Sequence, residues 1–271
     1  MIIILLVVAI YHNLNCAEHN DLRKPLCSVI FFINQASLFT DQINKLKSQN
    51  ISEDYEIKIF DQNNSENLIL NLKKIVKEFN RESKYHILVF WDHREDIYQE
   101  GLNYLNLSST LKDIHNYLGK KLDILCLDFC YSSCFEYAFG FKENINYLVA
   151  CQEKHFMDGF SYDFLNNSFV DSRSLAIKII LDSNLYFLKY DYYNLINFVA
   201  IDCSKTYLIK PFLANIINNN RVDLFDLILN KNKSYIISFL RKEIILAYAA
   251  GSNSNEKSGI SINKCNYSAI T

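Results

Sequence analysis

Tyr85 to Trp91 reads YHILVFW, seven residues with only His86 interrupting the apolar and aromatic side chains. A short run of this kind, rich in β-formers, marks a strand covered on both faces. Such strands belong to parallel sheets, whose neighbours need crossover connections and therefore helices above and below. Upstream, Leu26 to Ile33 (LCSVIFFI) has the same character, and Tyr55 to Phe60 (YEIKIF) alternates as a short strand should. Between them, Gln35 to Gln49 carries Leu38, Ile43 and Leu46 at helical spacing. Ser65 is placed to cap a helix whose apolar face is Leu68, Leu72, Ile75, Val76 and Phe79. Downstream, a helix from about Thr110 to Leu118 leads into Leu122 to Phe129 (LDILCLDF), and Ile145 to Cys151 (INYLVAC) is a fifth strand. The alternation predicts a three-layer α/β sandwich with a mostly parallel central sheet and helices on both faces.

Beyond residue 170 the pattern turns more helical. Ser172 to Tyr190, Thr206 to Asn219 and Val222 to Tyr248 read as helices, and Asn197 to Asp202 as a strand. No Pro- or Gly-rich linker sets this third apart, so it is expected on the same sheet or in a closely attached subdomain. A chain of 271 residues suits one substantial domain. Residues 18–271 are read as that domain, more helical from about 171.

Half the residues are apolar, which supports a folded core, and a net charge of -2 offers no basic footprint for nucleic acid. Ile2 to Ile10 is an unbroken apolar run, too short for a stable membrane span and of the length of a signal-peptide core. Residues 1–17 are therefore read as a signal segment cut near Cys16 or Ala17, implying export; a buried first strand is the other reading of the same run. Eight cysteines are scattered without a dense disulfide pattern, and Cys126, Cys130 and Cys134 recur without a CxxC pair or paired histidines, so no metal site is expected.

In sheets of this type, reactive residues lie just past the carboxyl ends of the strands. Two segments qualify: Asp92 and His93 after YHILVFW, and Cys130 after LDILCLDF. A thiol becomes a nucleophile when a nearby base takes its proton, and two strands of one sheet bring His93 and Cys130 together across the sequence. The plainer alternative is that Cys130 is a small buried hydrophobe.

The flanking residues resemble the clostripain-like cysteine peptidases. Trp91-Asp92-His93-Arg94 is similar to that family's W-D-H-G, and Asp128-Phe129-Cys130, with Glu136 and Ala138 following, to its D-A-C segment. Tyr147 to Glu153 (YLVACQE) resembles Y-L-V-A-S-Q-E, and Asp158 to Tyr162 (DGFSY) resembles G-W-x-Y. Farther on, Val199 to Asp202 looks like S-A-I-D, Val222 to Asp226 like V-D-L-Y-D, and Ser258 to Ile262 like G-L-S-I. The resemblance implies a caspase-like fold and hydrolysis of peptide bonds after Arg or Lys, with Cys130 as nucleophile and His93 as its general base. It implies an oxyanion site from the backbone N–H groups of Arg94 and Cys130, and makes Asp128, with Asp158 second, the binder of the basic side chain. Arg94 stands where the family has Gly; it offers an N–H without glycine's backbone freedom. An inactive peptidase-like binding protein is the alternative this departure opens.

Legumain-like and transamidase-like peptidases share the expected sheet, but their patterns fit the YLVACQE and VDLFD segments less well. A flavodoxin-like module would lack its phosphate loop, since Ile33-Asn34-Gln35-Ala36 follows the first strand. No cofactor is expected, and calcium dependence is left open because Asp92, Glu95 and Asp96 do not form an EF-hand spacing. Family members are often activated by cleavage between the His and the Cys, where Lys112, Lys120 and Lys121 stand.

Overall fold

A computed structural model describes residues 24–34, 36–62, 68–92, 104–152, 159–188, 197–209, 222–224, 234–250 and 260–262. Five parallel strands form its centre: β1 (Cys27–Asn34), β2 (Tyr55–Gln62), β3 (Tyr85–Trp91), β4 (Leu122–Asp128) and β5 (Ile145–Cys151). Two antiparallel strands extend the β5 edge, β6 (Asn197–Asp202) and β8 (Ile245–Ala250). The strand order is β2-β1-β3-β4-β5-β6-β8. β7 (Val222–Asp223) and β9 (Ser261–Ile262) pair separately.

Helices α1 (Thr40–Ser48), α2 (Leu68–Val76), α3 (Tyr104–Leu118), α4 (Phe135–Gly140), α5 (Ser172–Phe187) and α6 (Ser234–Glu243) are described. Strand alternation divides the core in two. Ile30, Phe32, Leu88, Phe90, Leu125 and Leu127 point to the layer of α2, α3, α4 and α6. Val29, Phe31, Ile33, Val89, Trp91, Ile124 and Cys126 point to the layer of α1 and α5. β1, β3 and β4 are buried along their whole length, which is why they read as continuous apolar runs. The chain moves from β1 out to β2, then returns past β1 to β3, so a topological switch point lies between β1 and β3.

The expected three-layer α/β sandwich is the fold found, and of the described residues beyond 170, β6 and β8 join the same sheet and α5 packs on it. One expectation is overturned. The stretch from Val222 to Tyr248 is not one helix: it starts in β7, contains α6, and ends in β8. Ile245–Ala250 takes the extended form because β6 presents an open edge that backbone pairing with β8 satisfies. The expected helix from Thr206 to Asn219 starts as a 3-10 turn over Cys203–Ile209, beyond which it lies outside the described residues. Ser65 also lies outside them.

Candidate active site

The carboxyl ends of β1, β3 and β4 carry Asn34, Asp92 and Asp128. Asn34 Nδ2 donates to Asp92 Oδ2 at 3.0 Å, across the switch point. The Asp92 amide donates to the Asp128 carbonyl at 3.2 Å, prolonging the β3/β4 ladder by one rung beyond the Trp91–Asp128 pair. The chain therefore leaves β3 toward His93 from a point held on both sides.

Cys130 lies two residues past β4 and is 6% exposed. Its neighbour Tyr131 has φ +58, a left-handed conformation that a residue with a Cβ rarely adopts. The turn is held in that shape by Ser132 and Ser133. Ser132 Oγ donates to the Leu127 carbonyl at 2.8 Å and accepts from the Cys151 amide at 2.9 Å, and the Ser133 amide donates to the Cys151 carbonyl at 2.8 Å. The end of β5 thus fastens the turn carrying the thiol. Strained backbone over-determined by its surroundings is typical of functional sites.

Three other described cysteines, Cys27, Cys126 and Cys203, are wholly buried. Burial pushes the thiols of Cys27, Cys126 and Cys203 up, with the charge of Asp123 adding at Cys27, Asp128 at Cys126 and Asp202 at Cys203. These are inert apolar fillers. No described group of three His, Cys, Asp or Glu residues is arranged to hold a metal ion.

Asp128 ends β4 on the α1/α5 side and is 1% exposed. Its Oδ2 accepts from the Phe160 amide at 2.9 Å and from the Tyr162 hydroxyl. The sequence singled out Asp128 and the DGFSY segment, but not this contact between them. Beside them, a cavity of about 180 Å³ is walled by residues that include Asp41, Lys45, Trp91, Tyr162, Asp163 and Tyr186. His93, Arg94 and Asp158 lie outside the described residues, as do Cys16 and Ala17.

Lys120 and Lys121 sit at the amino end of β4. Lys120 Nζ donates to the Lys84 carbonyl and Lys121 Nζ to the Lys142 carbonyl at 2.7 Å. Cys130 is at the other end of the seven-residue strand, about 23 Å away at about 3.3 Å per residue. Cleavage there by the same chain's thiol would require β4 to leave the sheet. Lys112 is exposed on α3.

The structure is thus an α/β protein with a buried thiol on a fastened turn, past the end of one parallel strand and beside the end of a second. The model of the clostripain family of peptidases matches residues 15–248, and the chain belongs to that family. Its fold is shared by a secreted C11 cysteine protease from Bacteroides thetaiotaomicron in complex with an irreversible peptide inhibitor, at TM-score 0.69 and 10% identity over 89% of this chain and 93% of that one. "Iotapain", a secreted C11 cysteine protease from the same organism, is similar at TM-score 0.67 and 15% identity, over 91% and 99%. An inactive zymogen C11 protease from Parabacteroides distasonis is similar at TM-score 0.64 and 14% identity, over 87% and 90%. No curated protein matches the chain. No described helix is long and apolar enough to cross a membrane.

Proposed function

We propose that this chain is an exported cysteine endopeptidase that cleaves peptides or proteins after Arg or Lys, with Cys130 and His93 as a dyad. The observation that carries the reading is the turn at Cys130: a thiol just past β4, on a left-handed turn fastened to β5, in a family of peptidases. His93 follows directly on Asp92, whose amide is bonded to Asp128 at the foot of the same turn.

In the proposed reaction His93 accepts the thiol proton and Cys130 Sγ attacks the scissile carbonyl carbon. The carbonyl oxygen gains the charge, which the backbone N–H groups of Arg94 and Cys130 stabilise. His93 then gives its proton to the leaving amine as the C–N bond breaks, and water releases the acyl group from Sγ. Asp128 and Asp158 supply negative charge for the substrate's basic side chain. The apolar run from Ile2 to Ile10 supports export, as does the secreted relative.

Hydrolysis of matched fluorogenic peptides ending in Arg, Lys, Asn and Asp tests the reading. Cleavage after Arg or Lys, abolished by Cys130→Ala and by His93→Ala, is the expected result. Cleavage after Asn alone would give the site a legumain-like specificity instead. Arg94, standing in the oxyanion position where the family has Gly, favours one other reading, an inactive binding protein of the same fold. Well-folded wild type that cleaves none of the four peptides, with or without calcium, would establish it.

A further inference from the structure

The segment after β5 returns to the sheet at Gly159, whose φ of +71 lies in the left-handed region. A Cβ there would stand 2.6 Å from Asp128 Oδ2, closer than the carboxylate tolerates, and a tight 3.0 Å from Trp91 Cζ2. Only glycine lets the backbone come down on the carboxylate in this way. The next amide, from Phe160, then donates to Oδ2, and two residues later the Tyr162 hydroxyl donates to the same oxygen.

Packing fixes the Tyr162 ring. Phe31 meets it edge-on with centroids 4.9 Å apart, and Trp91 and Phe164 lie at 5.6 and 6.2 Å. Burial, the neighbouring Asp128 charge and the hydrogen bond itself push the Tyr162 phenol well above its ordinary range, so it keeps its proton and remains a donor. Two donors on one oxygen, one from the backbone and one from a wedged ring, remove the rotation a carboxylate at a strand end otherwise has.

We infer that Tyr162 is a positioning residue for substrate selection. With the Phe160 amide it holds the Asp128 carboxylate in one orientation, and it acts on a cationic side chain through Asp128 rather than by touching the substrate. The inference rests on the proposed role of Asp128 in recognising Arg or Lys. It separates the DGFSY segment into a glycine that permits the approach, an amide that marks its depth and a hydroxyl that sets the angle.

The test compares Tyr162→Phe with wild type on a peptide ending in Arg and on the same peptide ending in citrulline, which keeps the shape and lacks the charge. Removing one hydrogen bond to a charged group is expected to lower the Arg-over-citrulline preference in kcat/KM about tenfold, with the loss in KM. A purely structural role would lower both peptides alike and leave the ratio where it was, which would overturn the inference. In an Asp128→Asn background, Tyr162→Phe should change the ratio no further, because the hydroxyl acts through that carboxylate; a further drop of the same size would also overturn it. Should Tyr162→Phe not fold, Tyr162→His gives the same reading, since it keeps an aromatic ring in place and withdraws the hydroxyl. Wild type with no preference for Arg over citrulline would remove the role of Asp128 and the inference with it, whereas a strong preference untouched by the variants would remove the inference alone.

Discussion

The amide of Asp92 and the carbonyl of Asp128 are 3.2 Å apart, so one hydrogen bond joins the residue before His93 to the residue two before Cys130. It is the last rung of the β3/β4 ladder among the described residues, and Asn34 secures it from the other side by donating to the Asp92 carboxylate at 3.0 Å. The proposed dyad therefore starts from two strand ends that cannot shift independently.

Asn34→Leu tests that support. It withdraws an amide donor from a carboxylate that is 4% exposed. The expected cost is about 1–3 kcal/mol of stability, the usual price of disturbing a buried polar pair. Urea unfolding reads it, and kcat/KM on an Arg peptide should fall about tenfold as the β3 end loosens. An unchanged midpoint would show that the bond contributes nothing.

Ser132→Ala tests the fastening of the Cys130 turn. The variant removes both the donor to the Leu127 carbonyl and the acceptor of the Cys151 amide. A loss of about 1–3 kcal/mol is expected, with faster iodoacetamide labelling of Cys130 as the turn opens. Labelling at the wild-type rate would mean that the turn holds its shape without Ser132.

How much of this was legible beforehand can be judged strand by strand. β1, β3 and β4 were visible because each is covered on both faces and so spelled in apolar residues throughout, and β5 was bounded correctly at Ile145 and Cys151. β8 was hidden. ILAYAA continues directly from α6, with Ile244 alone between them, and its alanines favour helix as much as strand. Only the unpaired edge of β6, supplied by residues almost fifty positions earlier, decides it. At the site, Cys130 is legible from its place after a strand and Asp128 only through the family resemblance, whereas the hydroxyl of Tyr162 reaches Asp128 across 34 positions and leaves no local periodicity to read.

The amino end of the sheet predicts a pH dependence. His86 is fully buried, its Nε2 2.8 Å from the Asn80 carbonyl and its Nδ1 3.9 Å from Asp123 Oδ2. Burial holds its pKa down at about 4, against 6.5 ordinarily. The fold keeps the ring neutral, so the unfolded chain takes the proton first. Stability present above pH 6.5 is lost as the pH falls toward 4, by at most about 3 kcal/mol. Asp123, whose carboxyl burial pushes up, works in the opposite direction as it gains its proton. Comparing urea midpoints of wild type and His86→Gln from pH 7 to 4 isolates the ring: the variant should lose less. Parallel curves would rule the ring out.

Processing at Lys120 or Lys121 is expected only between molecules, because β4 holds these residues and Cys130 at its opposite ends. The rate of any such cleavage should rise with protein concentration, and inactive Cys130→Ala chains should be cut there by added wild type. First-order cleavage at constant rate over a hundredfold dilution would refute this.

The segment from Gly159 to Leu165 starts over Asp128, and from its far end Phe164 accepts from the Tyr55 hydroxyl while the Leu165 carbonyl accepts from the Ser52 amide. It runs from the carboxyl end of the sheet to the amino end, and with α5 it closes the face that Val29, Phe31, Trp91 and Cys126 present. During synthesis, β1 to β5 have all emerged before this cover exists. Only α1 is made early enough to shield part of that face, and the rest must wait, uncovered, for residues made more than a hundred positions after β1, so the order of translation sets a late closure of the nascent chain.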